Sequence, residues 1–218
     1  MAYNINTIYN LMRDIVRKQR GAMLTVDKAM QALDAGQLLK FEADFKSYAQ
    51  TQTIHDSLRV FKVTNQSFYS AGNGEVIFET DYLHMLADLS VVWGSFFQPV
   101  NFVNPEEKAE AINSQLRAIS TAEPIAEETS DGFILYPEYY YAGRYSYLRR
   151  PATPVLDVTY SGTDGRTVTY NPLTSVQLEW KDNYINSVIA YALQYIGINM
   201  DEQAVLQFSQ LIGKQSEA

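Results

Sequence analysis

The sequence predicts an α+β fold, with N- and C-terminal helices forming a helical body around an inserted antiparallel β region. Three observations predict it. Apolar residues recur at helical spacing over 6–20, 26–49 and 182–213. Between them, Arg59 to Tyr170 alternates in short runs punctuated by glycine, proline and asparagine. The chain has 218 residues and is 46% apolar, enough for one large domain or two small ones. The expected division is a helical hairpin over 1–58 packing with helices in 176–218 as one body. A β-rich region over 59–175 carries a short helix at 105–117.

In the first helix Asn6 is the expected N-cap, and Ile8, Leu11, Met12, Ile15 and Val16 repeat at i, i+3, i+4, i+7, i+8. Arg17, Lys18 and Arg20 occupy its last turn and Gly21 follows, the usual chemistry of a helix end. A second helix begins after Thr25, with Val26, Met30, Leu33, Leu38, Phe41, Phe45 and Tyr48 as its apolar face and Gly36 as a weak point. Strands are expected at Arg59–Tyr69, Val76–Glu79, Leu86–Trp93 and Val100–Val103. Asn104 and Pro105 open the short helix, whose inward stripe is Ala109, Ile112 and Leu116. Pro124–Glu128 and Phe133–Tyr136 pair across Ser130-Asp131-Gly132, an Asp-Gly hairpin signal. Arg144–Arg150 and Val155–Tyr160 are extended, and a further hairpin turns at Ser161–Gly165 into Arg166–Tyr170. The last long helix, Asp182–Ile196, has the stripe Ile185, Val188, Ile189, Ala192, Leu193, Ile196, flanked by Tyr184, Tyr191 and Tyr195. Its apolar arc spans about 200° at 100° per residue, too wide for a helix resting on one surface. Gly197 ends it, and Asn199 caps a final helix with Val205, Phe208, Leu211 and Ile212 inward.

Composition excludes several chemistries. There is no cysteine, hence no disulfide, thiolate nucleophile or cysteine metal site. Residues 1–6 lack the basic and apolar regions of a signal peptide, so a chain without a targeting segment is expected. The uncharged stretch Leu89–Asn104 is broken by Gly94, Gln98, Pro99 and Asn101 and is too short and polar to span a bilayer, so no membrane partner is expected. The net charge of −8 opposes general attraction to nucleic acid phosphates. Sixteen tyrosines and ten phenylalanines against two tryptophans supply amphipathic contact surface of the kind enriched at interfaces.

No catalytic constellation stands out. His55 and His84 are the only histidines and lack ligand spacing, although Asp81 and His84 would meet on a helical turn. The pairs Glu106/Glu107 and Glu127/Glu128 read as solvated charges rather than a glycosidase pair. No G-x-S-x-G, Walker A, G-x-G-x-x-G or H-E-x-x-H pattern occurs, and Ala71-Gly-Asn-Gly74 lacks a phosphate-cradle lysine. Arg144-Tyr-Ser-Tyr-Leu-Arg-Arg150 is a basic and aromatic segment that fits an amphipathic strand better than a nucleic acid contact. Glu138-Tyr-Tyr-Tyr141 fits packing or an interface. No cofactor and no metal are expected.

Four groups of segments, in order, resemble a family of virion proteins of crAss-like and related short-tailed bacteriophages. They are Ile5–Tyr9 with Val16–Gly21 and Leu24–Asp27; Thr80–His84; Asn113–Arg117 with Pro124-Ile and Gly132–Pro137; and Tyr147–Pro154 with Val176–Trp180 and Ala192–Ile198. The resemblance implies a head-to-tail connector: a ring or adaptor in about twelve copies stacked below the portal, surrounding the channel through which the double-stranded genome leaves. It implies a virion location after synthesis in the host cytoplasm, and no catalytic motif. Under it, helices 6–20, 26–49 and 182–213 form the ring body, with Tyr184, Val188, Tyr191 and Tyr195 as the candidate subunit interface. Strands around 133–170 contact the next ring or tail component, with Tyr145, Tyr147, Arg149 and Arg150 as candidate axial contacts. The rivals are a tail hub or head completion protein, a cell-wall hydrolase using Glu127 and Asp131, and a DNA-binding module using Arg144, Arg149 and Arg150.

Overall fold

A computed structural model describes residues 3–48, 56–70, 72–86, 88–113, 123–139, 142–161 and 167–215. The chain is α+β, with helices at both ends. It divides into two compact units: residues Met1–Val60 with Pro151–Ala218, and residues Phe61–Arg150.

The first unit contains α1 (Ile5–Arg20), α2 (Val26–Lys46), α4 (Asp182–Tyr195), α5 (Glu202–Gln215) and a hairpin of β10 (Val158–Ser161) and β11 (Thr167–Tyr170). The cap of α1 is Asn4 rather than Asn6, its side chain accepting from the Thr7 N–H at 2.8 Å. Gly21 is left-handed (φ 62°) and its N–H closes the helix on Arg17. Thr25 caps α2 as expected. Asp201, not Asn199, caps α5, accepting from the Ala204 N–H at 2.7 Å. Both shifts have one cause: several polar residues precede each helix, and the adopted cap is the one whose oxygen reaches the N3 amide.

The inward face of α2 differs from the apolar stripe in the sequence. Leu33 and Phe41 are buried, but Ala29, Ala32, Gly36, Gln37 and Lys40 complete the face, while Val26, Met30, Leu38, Phe45 and Tyr48 are half-buried. Small residues face inward because α2 packs closely against α4. A Cβ on Gly36 would lie 2.6 Å from the backbone N of Ala192. Gly36 is thus a contact point of the two helices rather than a weakness.

Residues 151–175, grouped with the β region in the sequence reading, belong to the helical unit. Hydrogen bonds explain the shift. The Ala152 N–H donates to Glu179 at 2.8 Å, Gln37 donates to the Ala152 carbonyl at 3.0 Å, and Val155 and Val176 exchange backbone bonds at 3.2 and 2.8 Å.

The second unit holds two sheets. One has the order β1 (Lys62–Tyr69), β9 (Ala142–Arg149), β4 (Ser90–Trp93), β5 (Phe96–Pro99), with β3 (Tyr82–Met85) also on β9. The other has the order β2 (Glu75–Ile77), β8 (Gly132–Tyr136), β7 (Ile125–Glu128), β6 (Asn101–Val103). Pairing is antiparallel except β6 on β7, which is parallel and bridged by α3 (Pro105–Asn113), a strand–helix–strand crossover inside an otherwise antiparallel region. The Asn104 and Glu107 side chains bond reciprocally to each other's amides, a capping box that starts α3. Ala109 is exposed rather than inward; the side chain of Ile112, residues 114–117 and the turn 162–166 lie outside the described part of the structure.

Both sheets share one core, including Phe68, Val91, Phe133, Leu135, Tyr145 and Tyr147. Phe133 sits edge-on to Phe68 (5.4 Å) and to Tyr145 (6.0 Å), the geometry that aromatic quadrupoles favour. Tyr82 stacks on Phe78 at 3.7 Å. Burial, with the negative charge of Glu128, pushes the Tyr82 phenol up to about 12. Burial and the hydrogen bond to Asp81 push Tyr147 up as well, and burial does the same to Tyr145. A phenol harder to ionise folded than unfolded stabilises the fold fully below about pH 10, and that contribution is lost as pH rises through the folded pKa. Base unfolding of this unit is therefore expected between about pH 10 and 12, followed by near-ultraviolet circular dichroism. An unchanged spectrum at pH 12 would refute it.

Candidate functional site

Two surfaces and one buried ion pair stand out among the described residues. In the helical unit, Ile185, Asn186, Val188, Ile189, Ala192 and Leu193 of α4 are buried by the unit's own side chains, an arc of about 160° at 100° per residue. Tyr184, Tyr191 and Tyr195 fall together along one border of that arc, because positions i, i+7 and i+11 recur every two or three turns. Tyr184 and Tyr191 are half-buried and Tyr195 is 60% exposed. Three of the four expected interface residues thus form one stripe. Val188 does not belong to it: it is wholly buried in its own unit and cannot reach a neighbour. Beside the stripe lies a groove of about 470 Å³, lined by Tyr191, Ser187, Gln194, Asn199, Asp201 and Lys40 among others.

Under this groove is an ion pair that the sequence reading missed. Lys40 Nζ donates to both Asp44 oxygens at 2.7 Å, and Ser57 Oγ donates to Asp44 at 2.7 Å. The ammonium lies 5.6 Å from the Trp180 ring and 5.4 Å from the Tyr184 ring. Lysine four residues before aspartate on a helix was the available signal, masked by an expected apolar face that left Lys40 out.

In the β unit the expected axial contacts separate. Tyr145 and Tyr147 are buried, at 1% and 3% exposure, because β9 lies between other strands and packs on both faces. Tyr147 Oη donates to Asp81 at 2.8 Å. These two tyrosines are core, not contact surface. Arg149, half-buried with its guanidinium 5.8 Å from the Phe61 ring, and Arg150, exposed, remain accessible. No family model matches the chain and no curated protein matches it.

The remaining described candidates are spread over strands β3 and β7, a turn and α3. His84 is on strand β3, not a helical turn with Asp81; His55 lies outside the described residues. Among the described residues no group of three potential metal ligands occurs, and no helix is long and apolar enough to cross a membrane. Glu127 accepts from Lys108 Nζ at 2.7 Å, and Lys108 also donates to Tyr136 Oη at 2.7 Å. Those two bonds hold the Lys108 ammonium above its usual range and anchor α3 to the sheet. Glu106, Glu128 and Asp131 are exposed.

Sequence reasoning also missed β5. Trp93-Gly94-Ser95-Phe96 is a two-residue hairpin loop with Gly94 at φ 61°, joining Val92↔Phe97 and Trp93↔Phe96 as cross-strand pairs. Glycine at the first loop position is a hairpin signal that was present in the sequence. The hairpin exposes Trp93 (48%), Phe96 (76%) and Phe97 (49%). The Arg144 guanidinium stacks 3.8 Å from the Phe97 ring centroid, and Trp93 meets Tyr139 at 5.8 Å; Tyr140 and Tyr141 lie outside the described residues.

Proposed function

We propose that this chain is a structural virion protein forming a ring in the head-to-tail connector of a short-tailed bacteriophage, linking portal to tail around the genome exit channel. The resemblance carried by Val16–Gly21, Gly132–Pro137 and Tyr147–Pro154 supplies the family. The observation that carries the assembly role is the tyrosine stripe of α4, left half-covered by its own unit. Tyrosine gives large contact area with little rotamer entropy to lose, so a second copy laid along Tyr184, Tyr191 and Tyr195 gains burial without exposing a greasy free subunit. A subunit that meets like copies head to tail on two flanks forms a ring when the rotation between copies closes. The genome passes without sequence-specific contact, in keeping with the acidic chain.

The test is native mass spectrometry of the purified chain, alone and with its portal, on wild type and the double variant Tyr191→Asp/Tyr195→Asp. Wild type is expected to assemble as a ring of about twelve copies on the portal. The variant is expected to keep its helical circular dichroism and lose ring assembly at least tenfold. A variant that assembles like wild type removes α4 from the interface. A wild-type chain that stays monomeric with portal and is absent from purified particles overturns the neck reading.

A further inference from the structure

We propose that Asn73-Gly74 is a self-modifying site, at which the Asn73 amide is lost as ammonia and the strand that follows is loosened. Only this chain's own atoms and water are needed, so the site is independent of the connector reading.

The side-chain amide of asparagine is open to attack by the backbone nitrogen of the next residue, which closes a five-membered ring. A side chain on that next residue hinders the approach, so glycine is the favourable follower. Asn73 is the one asparagine of the chain that precedes glycine. Asn104 and Asn171 precede proline, whose nitrogen has no proton to give up. Asn186 precedes Ser187, but it is buried in α4 with its Oδ1 accepting from the Tyr3 hydroxyl at 3.0 Å. Asn73 is exposed, on the loop that enters β2.

The loop poses the reacting atoms. Asn73 Oδ1 accepts from the Glu75 N–H at 3.1 Å, the bond of an Asx turn. It folds the side chain forward over the Gly74 peptide and carries Cγ toward the nitrogen that attacks it. The same N–H is placed to hold the negative charge that develops on Oδ1. Asn73 Nδ2 donates to Glu75 Oε2 at 3.1 Å, so a carboxylate faces the nitrogen that must gain a proton and leave. The fold itself requires the glycine. Gly74 has φ 78°, and a Cβ there would lie 2.5 Å from the Leu135 carbonyl oxygen.

In the reaction the Gly74 N–H gives its proton to hydroxide, and the nitrogen bonds to Asn73 Cγ. The Cγ–Nδ2 bond breaks, and Nδ2 takes a proton from water and leaves as ammonia. Water then opens the ring. Cleavage between Cγ and the Gly74 nitrogen gives aspartate. Cleavage between the Asn73 backbone carbonyl carbon and that nitrogen gives isoaspartate, with the main chain running through the side-chain carbons. Either product sets a carboxylate opposite Glu75 where an N–H donated before. Isoaspartate also lengthens the main chain just ahead of Gly74, whose carbonyl accepts from the Leu135 N–H at 2.9 Å. β2 is three residues long and holds the buried Val76 on β8, so displacing Gly74 loosens this edge of the sheet.

The test is incubation of the purified full chain in alkaline buffer, folded and in urea, followed by peptide mapping that separates asparagine, aspartate and isoaspartate. Folded wild type is expected to convert at Asn73, releasing ammonia in equal amount and faster as pH rises. Asn73→Gln, whose ring would need a sixth member, is expected to convert at least tenfold more slowly. In the isoaspartyl fraction, hydrogen exchange at the Leu135 amide is expected to quicken at least tenfold. Conversion in urea alone would show that the fold blocks ring closure, and it overturns the site. Conversion confined to other asparagines overturns it too, and unchanged exchange at Leu135 overturns the loosening of β2.

Discussion

Replacing Asp44 by alanine is expected to destabilise the helical unit by about 3–5 kcal/mol, the cost of leaving a buried charge without its partner. Lys40 and Asp44 are 11% and 13% exposed at the side chain, so little water reaches the ammonium once its carboxylate is gone. The neighbouring Trp180 and Tyr184 rings offset part of this through the attraction of a cation to a ring face, worth about 0.5–2 kcal/mol. Ser57 loses its acceptor at the same time. The double variant Lys40→Met/Asp44→Leu removes both charges and is expected to lie within about 1 kcal/mol of wild type or above it. Urea denaturation followed by Trp180 fluorescence, in a Trp93→Phe background, measures both. A loss under 1 kcal/mol for Asp44→Ala would show that the pair is solvated.

Gly36→Leu is expected to abolish the packing of α2 on α4, and Gly36→Ala to lower stability by about 1–3 kcal/mol. Alanine would ordinarily strengthen an exposed helix by about 1 kcal/mol over glycine, so the sign of the result is itself diagnostic. The obstacle is backbone: the added carbon would meet N and Cα of Ala192 at 2.6 and 2.9 Å, atoms that no rotamer change can move. Ala192→Gly removes only the third contact, its Cβ at 2.9 Å, and should restore Gly36→Ala in part. Thermal unfolding by far-ultraviolet circular dichroism reads all three. A Gly36→Ala protein more stable than wild type would show that the helices sit farther apart than described.

Much of this architecture was legible because local signals and tertiary needs agreed. Gly21 after three cations, Thr25 before α2 and Asn104-Pro105 at the start of α3 each became the punctuation the residues implied. The β7–β8 hairpin forms as well, but it turns on Ser130-Asp131, and Gly132 is the first residue of β8 rather than a left-handed turn residue. The failures have physical causes. Alternation in β9 suggested one wet face, but a strand hemmed by β1, β3 and β4 buries consecutive residues, and alternation cannot reveal how many neighbours a strand has. The expected strands Leu86–Trp93 and Val100–Val103 leave out β5, because a short run between Gly94 and Pro99 carries the signals of a break rather than of a strand. The inward face of α2 was rotated because glycine and alanine carry little hydropathy, although close helix packing selects them. The stripe of Tyr184, Tyr191 and Tyr195 was readable from period alone; the exclusion of Val188 from it needed the fold.

The β unit begins and ends on neighbouring strands: Lys62 faces Leu148 and Val63 faces Tyr147 in the β1–β9 ladder. Paired strands lie about 5 Å apart. For the helical unit, whose two halves are separated by residues 61–150 in sequence, this ladder acts as a clasp. A slack segment of that length would cost on the order of 4 kcal/mol to close. The clasp delivers the closure ready-made, so the stretch between β1 and β9 can change in length without adding to that cost, as long as the ladder itself is kept.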